Sequence, residues 1–192
     1  MKEIFEKIYF ENQWKDSYGT SSGPGSAIEC SYQYLLFLNQ FIQENSIKSI
    51  LDLGCGDFNL MKHFNLNDID YLGIDLVTNV INNNNKYYSK YNIKFEQNNI
   101  IEYKSDKLFD LVIVKDVLQH LSNHNIKKIV NNINYSKRII LINDFTDTNV
   151  DSINGGYRPL NLNKSPFNIN CNKIFEFNSC GFIKHVNLLI ND

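Results

Sequence analysis

The sequence lacks a long hydrophobic run and a block of positive charge. No apolar stretch approaches the roughly 20 residues that cross a bilayer, and the charged, amphipathic first residues have no apolar signal-peptide core. The 19 lysines and arginines are offset by 21 aspartates and glutamates, so the formal net charge is −2. The basic patch that attracts nucleic acid is therefore absent. We expect neither a membrane nor a nucleic acid as a partner.

Cysteine is also scarce, and its spacing argues against metal and disulfide patterns. The chain has four cysteines, and no two of them form a Cys-x-x-Cys pair. Wide spacing of this kind is typical of reduced, structural thiols rather than of a zinc site or a disulfide framework. We therefore predict a cytoplasmic location and reduced thiols at Cys30, Cys55, Cys171 and Cys180.

Proline and tryptophan are rare as well, with 3 and 1 residues, whereas asparagine, isoleucine, lysine and tyrosine are abundant. The asparagine tract at 82–85 indicates the codon bias of an AT-rich genome, for example that of a giant virus. The 192 residues, 43% of them hydrophobic, are enough for one domain with its own core. We predict a single domain over 1–192.

Apolar periodicity predicts helices near the start of the chain and alternating strands and helices after it, an α/β pattern. Such alternation is typical of a parallel sheet with helices on both faces. The predicted helices are 2–13, 27–44, 78–88 and 125–135. The predicted parallel strands are 47–53, 70–74, 93–96, 109–115 and 138–143. A long ordered loop over 145–172 then precedes two strands, 173–177 and 184–190, which we expect to form an antiparallel hairpin at the sheet edge.

The most informative pattern is the run Ile-Leu-Asp-Leu-Gly-Cys-Gly at 50–56. An apolar strand that ends near Asp52 and runs into Gly-x-Gly predicts a tight turn whose backbone a ligand can approach closely. Such turns, at the carboxyl end of a first parallel strand, are ligand sites in doubly wound folds. A dinucleotide fingerprint would need a third glycine where this chain has Asn59, so a pyrophosphate fits poorly, while Asp52 suits a positively charged ligand.

This combination resembles the first motif of class I S-adenosylmethionine-dependent methyltransferases. The resemblance implies a Rossmann-like fold with a seven-stranded, mostly parallel sheet, and S-adenosylmethionine as cofactor. In that family an acidic residue after the second strand accepts hydrogen bonds from the ribose hydroxyls, and Asp75 holds that position. The family often has an aspartate at the adenine amine, where Asn99 departs from the pattern but keeps an acceptor oxygen. By this resemblance the cofactor-binding residues are Asp52, Gly54, Cys55, Gly56, Asp75, Leu76, Asn99, Ile100 and Lys115.

Two further segments resemble a narrower group of small class I methyltransferases, several of which accompany glycan or nucleotide-sugar genes. They are Ser-Ser-Gly-Pro-Gly-Ser at 21–26 and Gly-Gly-Tyr-Arg-Pro-Leu-Asn-Leu at 155–162. The resemblance implies an O-methyltransferase that acts on a sugar hydroxyl. Aromatic rings could stack on a sugar face, and Arg or Asn side chains could bind hydroxyls or a diphosphate. The candidate substrate-binding residues are Trp14, Ser22, Gly23, Tyr157, Arg158 and Asn161, with Tyr18 and Phe167 as further rings.

With these roles, the predicted domain has four parts: N-terminal helices and a loop (1–46), a cofactor-binding core (47–144), a substrate loop (145–172) and the C-terminal hairpin (173–192). Several alternatives stay open. The aromatics of the substrate loop could cover the sheet edge, and Arg158 could pair with a surface carboxylate. The chain could also methylate another small metabolite at nitrogen or oxygen, or serve as a non-catalytic subunit.

A sugar hydroxyl is a weak nucleophile, so methyl transfer to it benefits from a general base. The candidates are Asp116 and then His120, which would share a helix face if Asp116 begins a helix. Asp116 could instead cap that helix, and His120 could serve packing or cofactor support. Asp116 and Asp144 end neighbouring strands and would suit Mg²⁺, but two ligands are too few for us to predict a metal site.

Overall fold

The computed structural model describes residues 1–15 and 17–191. Over these residues the chain forms four α-helices and one seven-stranded sheet. The helices are α1 (Lys2–Phe10), α2 (Ile28–Glu44), α3 (Thr78–Tyr87) and α4 (Asn123–Asn132). The strands are β1 (Ser49–Leu53), β2 (Asp70–Asp75), β3 (Ile93–Gln97), β4 (Leu111–Lys115), β5 (Arg138–Asp144), β6 (Asn172–Ser179) and β7 (Phe182–Ile190). Within the described ranges, no helix is both long and apolar enough to cross a membrane.

The sheet has the strand order β3-β2-β1-β4-β5-β7-β6. Strands β1 to β5 pair in parallel, whereas β7 runs antiparallel to both β5 and β6. The predicted fold class, including the C-terminal hairpin, is confirmed. The strand order changes direction at β1: β2 and β3 lie on one side of it, and β4 and β5 lie on the other. The carboxyl ends of β1 and β4 therefore border a crevice, which is where open α/β sheets bind ligands.

Alternating side chains of the central strands supply two apolar cores, one on each face of the sheet. Ile50 and Ile113 belong to the core that packs against α2. Leu51 and Val112 belong to the core on the other face, which includes residues of α4. Strands buried on both faces are expected to be apolar throughout, which explains the uninterrupted run Leu-Val-Ile-Val in β4.

Two predicted helices have different ends in the structure. Helix α1 ends at Phe10 rather than at residue 13, and Asn12 has a left-handed φ of 53° that is incompatible with continuing the helix. Helix α4 begins earlier than predicted, because Ser122 caps it by accepting a hydrogen bond from the Asn125 amide at 3.4 Å. It ends at Asn132 rather than at residue 135.

No helix begins at Asp116. This residue has a left-handed φ of 57° directly after β4, and a short 3₁₀ turn, Leu118–His120, follows. The conditional prediction that Asp116 and His120 share one helix face is therefore wrong, as is the alternative that Asp116 caps a helix. Asp116 instead lies in the turn between β4 and the 3₁₀ turn, at the rim of the sheet.

The prediction of four reduced cysteines is wrong for one pair. Cys30 in α2 and Cys180 in the β6–β7 turn form a disulfide, with their Cα atoms 5.0 Å apart although 150 residues separate them. Sequence spacing could not reveal this pair, because only the packing of α2 beside the hairpin brings the two together. Cys55 and Cys171 are free thiols. The predicted cytoplasmic location thereby loses the support that it drew from cysteine usage.

Candidate active site

A cavity opens at the carboxyl ends of β1, β2 and β4, covered by α1. All nine residues predicted to bind the cofactor line it: Asp52, Gly54, Cys55, Gly56, Asp75, Leu76, Asn99, Ile100 and Lys115. Asp116, His120, Trp14 and Ser22 line the same cavity. Parallel pairing explains this convergence, because each crossover returns the chain to the same rim.

The turn after β1 has the conformation that its glycines predict. Gly54 and Gly56 have left-handed φ angles of 83° and 55°, which glycine adopts without steric cost. The amides of Gly54 and Cys55 both donate to the Ile74 carbonyl, at 2.7 and 3.0 Å, and so hold the turn against β2. A side chain at residue 54 would collide with Val117.

Asp75 is fixed by the backbone of this turn and of its own strand end. Its Oδ2 accepts from the Gly56 amide at 3.1 Å, and its Oδ1 accepts from the Val77 amide at 3.0 Å. Burial raises the pKa of Asp75, and these amide donors oppose the rise. A carboxylate has about four acceptor positions, so the side chain keeps capacity for two ligand hydroxyls.

Asp52 is the buried carboxylate of the cavity. Its exposed fraction is 5%, and Tyr71 donates its hydroxyl to Oδ2 at 2.6 Å. Burial raises the pKa of Asp52 to about 6, against the lowering effects of the Tyr71 hydrogen bond and of Lys115. Because one oxygen is engaged and the group is desolvated, a positively charged ligand group would stabilise its ionised form.

Helix α1 forms a cover that we did not predict as part of the site, and it contacts the 21–26 segment, where Ser22 was predicted. Met1, Phe5 and Tyr9 line the cavity from above. Tyr9 and Ser22 share a hydrogen bond of 2.7 Å between their hydroxyls, and Ser22 also accepts from the Asp57 amide at 2.9 Å. The amphipathic pattern of the first residues was the available signal for a helix that packs on the rim.

A cluster of four charged side chains lies beside the cavity, of which Lys184 and Asp144 are buried and Lys115 and Asp116 are partly buried. Lys184 in β7 donates to Asp116 Oδ1 and to Asp144 Oδ1, each at 2.6 Å. Lys115 pairs with the other oxygen of Asp116 and donates to the Gly25 carbonyl at 2.7 Å. Although burial opposes the shift, the two lysines hold the pKa of Asp116 well below its ordinary range. Asp116 is therefore a weak base, and Lys184 is a member of this cluster that the sequence did not indicate.

Asp116 and Asp144 lie at the ends of the neighbouring strands β4 and β5, as expected, but the Lys184 side chain lies between them. The Lys184 ammonium takes the position that a cation shared by the two carboxylates would need. Tyr157 donates its hydroxyl to the second oxygen of Asp144 at 2.8 Å. Among residues 1–15 and 17–191, no group of three or more His, Cys, Asp or Glu side chains is arranged to hold a metal ion.

His120 lies at the edge of the cavity with a defined tautomer. Its Nδ1 is 2.8 Å from the Gly156 carbonyl oxygen. Because a carbonyl only accepts, Nδ1 carries the proton and Nε2 is the unprotonated nitrogen of the neutral ring. Burial lowers the pKa of His120, which favours this neutral form. The Trp14 ring contacts the imidazole, with the ring centroids 4.6 Å apart.

The 155–162 segment supports His120 rather than lining the cavity. The Gly155 amide donates to the His120 carbonyl at 2.8 Å, and the Arg158 amide donates to the Gln119 carbonyl at 3.1 Å. Gly155 allows a close approach to Ile4 of α1, and Gly156 allows a close approach to Ser152 of its own loop.

Four of the six candidate substrate residues are absent from the described lining of the cavity. Arg158 is only 4% exposed and donates from Nη2 to the Asn123 side chain at 2.9 Å, so neither the ligand role nor the surface ion pair predicted for it fits. Asn161 is part of a hydrogen-bonded loop with Asn149. Tyr157 is half-exposed near His120, at 5.9 Å between ring centroids. Gly23 begins a 3₁₀ turn next to Ser22.

The two further ring candidates also lie outside the described cavity lining. Phe167 is buried in the core on the α4 face of the sheet, so it cannot stack on a ligand. Tyr18 is 46% exposed at the surface. Sequence composition could not separate these rings from Trp14, because all lie in segments without helical or strand periodicity.

Comparison with known proteins agrees with this geometry. Residues 50–136, from β1 to just beyond α4, match a family model described as a methyltransferase domain. A search of curated proteins found no significant match.

Several solved structures share the fold. The magnesium protoporphyrin IX methyltransferase ChlM from Synechocystis PCC 6803, crystallised with S-adenosylhomocysteine, is 10% identical, with a TM-score of 0.69 over 100% of this chain and 98% of that one. TehB from Haemophilus influenzae is 14% identical, with a TM-score of 0.63 over 83% of this chain and 62% of that one. The glycopeptide N-methyltransferase MtfA, in complex with S-adenosylmethionine, is 12% identical, with a TM-score of 0.60 over 82% of this chain and 94% of that one.

The sheet order, the glycine turn between two rim carboxylates and the matched domain define the class of protein. The chain has a Rossmann-like fold, and its residues 50–136 match a methyltransferase domain. The donor set fits the cofactor, because Asp75 keeps free acceptor positions for ribose hydroxyls and the buried Asp52 suits a cationic group.

Proposed function

We propose that the chain is an S-adenosylmethionine-dependent methyltransferase that acts on a hydroxyl group of a sugar, carried by a nucleotide sugar or a glycan, with His120 as general base. The observation that carries the proposal is the hydrogen bond from His120 Nδ1 to the Gly156 carbonyl. It leaves a neutral imidazole nitrogen as a proton acceptor at the edge of the cofactor cavity. A base of this kind serves a hydroxyl nucleophile, whose proton must leave as the methyl group arrives.

The residues of the rim would hold the cofactor in a fixed direction. Asp75 would accept from the ribose hydroxyls, Asn99 and Ile100 would border the adenine, and Asp52 would attract the ammonium of the amino-acid part. When bound, S-adenosylmethionine supplies an electrophilic methyl group. The contribution of the chain is then to align an acceptor oxygen with that group, because orientation alone removes several kcal/mol of a barrier.

His120 is a better candidate for the base than Asp116, which reverses the order that the sequence favoured. Both oxygens of Asp116 are paired with lysines, and its pKa lies well below the ordinary value. A carboxylate held in this state has little affinity for the proton of a hydroxyl. Burial instead lowers the pKa of His120, which favours the neutral imidazole with a free Nε2.

Support for a sugar acceptor comes from the ring beside the base and from the resemblance of two segments to a sugar-linked group. Trp14 lines the cavity and contacts His120, so an acceptor presented to Nε2 would lie against an aromatic surface. The apolar face of a sugar ring packs well on such a surface, while its hydroxyls remain free to reach the base.

The test is methyl transfer by the purified chain alone, from labelled S-adenosylmethionine to a panel of nucleotide sugars, glycans, phenols and amines. We expect labelling of a nucleotide sugar or glycan. His120→Gln should lower kcat by a factor of about 10² to 10⁴ with cofactor affinity unchanged, whereas His124→Gln at an exposed position should behave as wild type.

Two results would replace the proposal. Labelling of phenols or amines only would assign the enzyme to another small metabolite. Activity that appears only with a partner protein would make the chain a subunit of a larger methylating assembly.

A further inference from the structure

Tyr34 in α2 has a buried hydroxyl without a hydrogen-bond partner among the described residues. The side chain is 0% exposed, yet it lines the cofactor cavity. Burial raises the pKa of Tyr34 well above its ordinary value, and the nearby charges of Asp52 and Asp116 add to the rise. The phenol is therefore protonated, and it is a hydrogen-bond donor in need of an acceptor.

The groups around Tyr34 define the chemistry of that acceptor. Lys115 lies over the Tyr34 ring, with Nζ 5.7 Å from the ring centroid, and it lines the same cavity. Asp52 also lines it, but its hydrogen bond comes from Tyr71, not from Tyr34. Two donors and one carboxylate that line the same cavity are complementary to a zwitterion, which has a carboxylate for the donors and an ammonium for Asp52.

The order of the strands indicates which part of the cofactor reaches this end. Asn99 follows β3, Asp75 ends β2, and Asp52 and Lys115 lie at β1 and β4. In the sheet these strands are consecutive, in the order β3-β2-β1-β4. A ligand with its base at β3 and its ribose at β2 thus extends its amino-acid part toward β1, β4 and Tyr34.

We propose that Tyr34 binds the carboxylate of the amino-acid part of the cofactor, with Lys115 supplying the accompanying positive charge. This assignment rests on the proposed function and deepens it. It makes Tyr34 a residue that selects ligands with a carboxylate over ligands that lack one.

The test is calorimetric binding of S-adenosylhomocysteine and of its decarboxylated analogue to wild type and to Tyr34→Phe. The substitution removes one unpartnered hydroxyl and keeps the ring, so we expect the melting temperature to stay close to that of wild type. We expect Kd for S-adenosylhomocysteine to rise tenfold or more, as for a hydrogen bond to a charged group. Kd for the decarboxylated analogue should change less than twofold.

Tyr135→Phe is the matched control. Tyr135 is also buried and has a hydroxyl unpartnered within the described structure, but it packs in the core of the opposite face of the sheet. It should leave both dissociation constants unchanged.

Three results would overturn the assignment of Tyr34. Equal weakening of both ligands by Tyr34→Phe would show an effect on packing. Unchanged binding of both ligands, with a raised KM for the methyl acceptor, would assign the hydroxyl to the acceptor instead. In both cases the wild-type protein still binds S-adenosylhomocysteine, and the proposed function stands. Failure of the wild type to bind that ligand would overturn the proposed function together with this assignment.

Discussion

Replacing Lys184 with methionine should strongly destabilise the protein near neutral pH. The Lys184 ammonium is 2.6 Å from one oxygen of Asp116 and 2.6 Å from one oxygen of Asp144, and the side chain is only 4% exposed. Methionine keeps most of the apolar stem, but it leaves Asp116 with Lys115 as its remaining lysine and removes the lysine that pairs with Asp144. Removing one partner of a buried ion pair typically costs about 3–5 kcal/mol, because a desolvated charge is left without compensation.

The loss of unfolding free energy in Lys184→Met should be larger at neutral pH than at acidic pH. The folded-state pKa of Asp116 lies well below its unfolded value, so its contribution to stability is complete above the unfolded value and is lost as pH falls through the folded one. In Lys184→Met, Asp116 loses a counter-charge, so its pKa rises and its protonation relieves the repulsion between the two carboxylates. The difference in unfolding free energy should therefore be largest near pH 7 and shrink toward pH 4.5.

Urea denaturation at pH 7 and pH 4.5 measures this difference directly. The matched control is Lys173→Met, which removes an exposed ion pair with Glu176 in the adjacent strand β6 and should cost less than about 1 kcal/mol. The reasoning is refuted if Lys184→Met costs no more than Lys173→Met, or if its cost is the same at both pH values.

Three more predictions concern the pH dependence of catalysis, the need for a metal ion and the state of the cysteines. The pH profile of kcat/KM should have an acidic limb with an apparent pKa below 6.5, because burial lowers the pKa of His120 and the base must be neutral; a limb that His120→Gln leaves unchanged would exclude this histidine. Activity should survive EDTA, since Lys184 occupies the position between Asp116 and Asp144; loss of activity that Mg²⁺ restores would contradict this arrangement. Thiol titration of the denatured, unreduced chain should find two cysteines, and reduction should raise the count to four, because Cys30 and Cys180 are linked; four thiols before reduction would contradict the disulfide.

The parts of the site that could be predicted from the sequence depend on neighbouring residues or on where a strand ends. The glycine turn requires left-handed backbone angles at Gly54 and Gly56, and this requirement is visible in the residue types themselves. Asp75 was assigned by the family resemblance, and its place at the end of β2 puts it on the same rim as the turn. Alternation of apolar runs with helical segments was sufficient for the fold class, although helix ends shifted where Asn12 and Ser122 act locally.

The errors concern side chains whose partners are distant in sequence. Arg158 looked like a ligand residue because of its glycine-rich neighbourhood, yet the loop folds it against Asn123. Asp116 looked like a base because it follows β4, and nothing near it in sequence shows that Lys184 reaches it from β7. In both cases the side chain's role depends on a contact that forms only when the whole sheet is assembled.

The sequence by itself determined the class of fold, the glycine turn and the carboxylates that surround the cofactor cavity, because these depend on local backbone preference and on the periodicity of apolar residues. Only the tertiary structure decided which charges neutralise one another, which tautomer His120 adopts and where Tyr34 has an unpartnered donor. The physical reason is that desolvation and pairing depend on distances between elements, and strand order sets these distances independently of spacing along the chain.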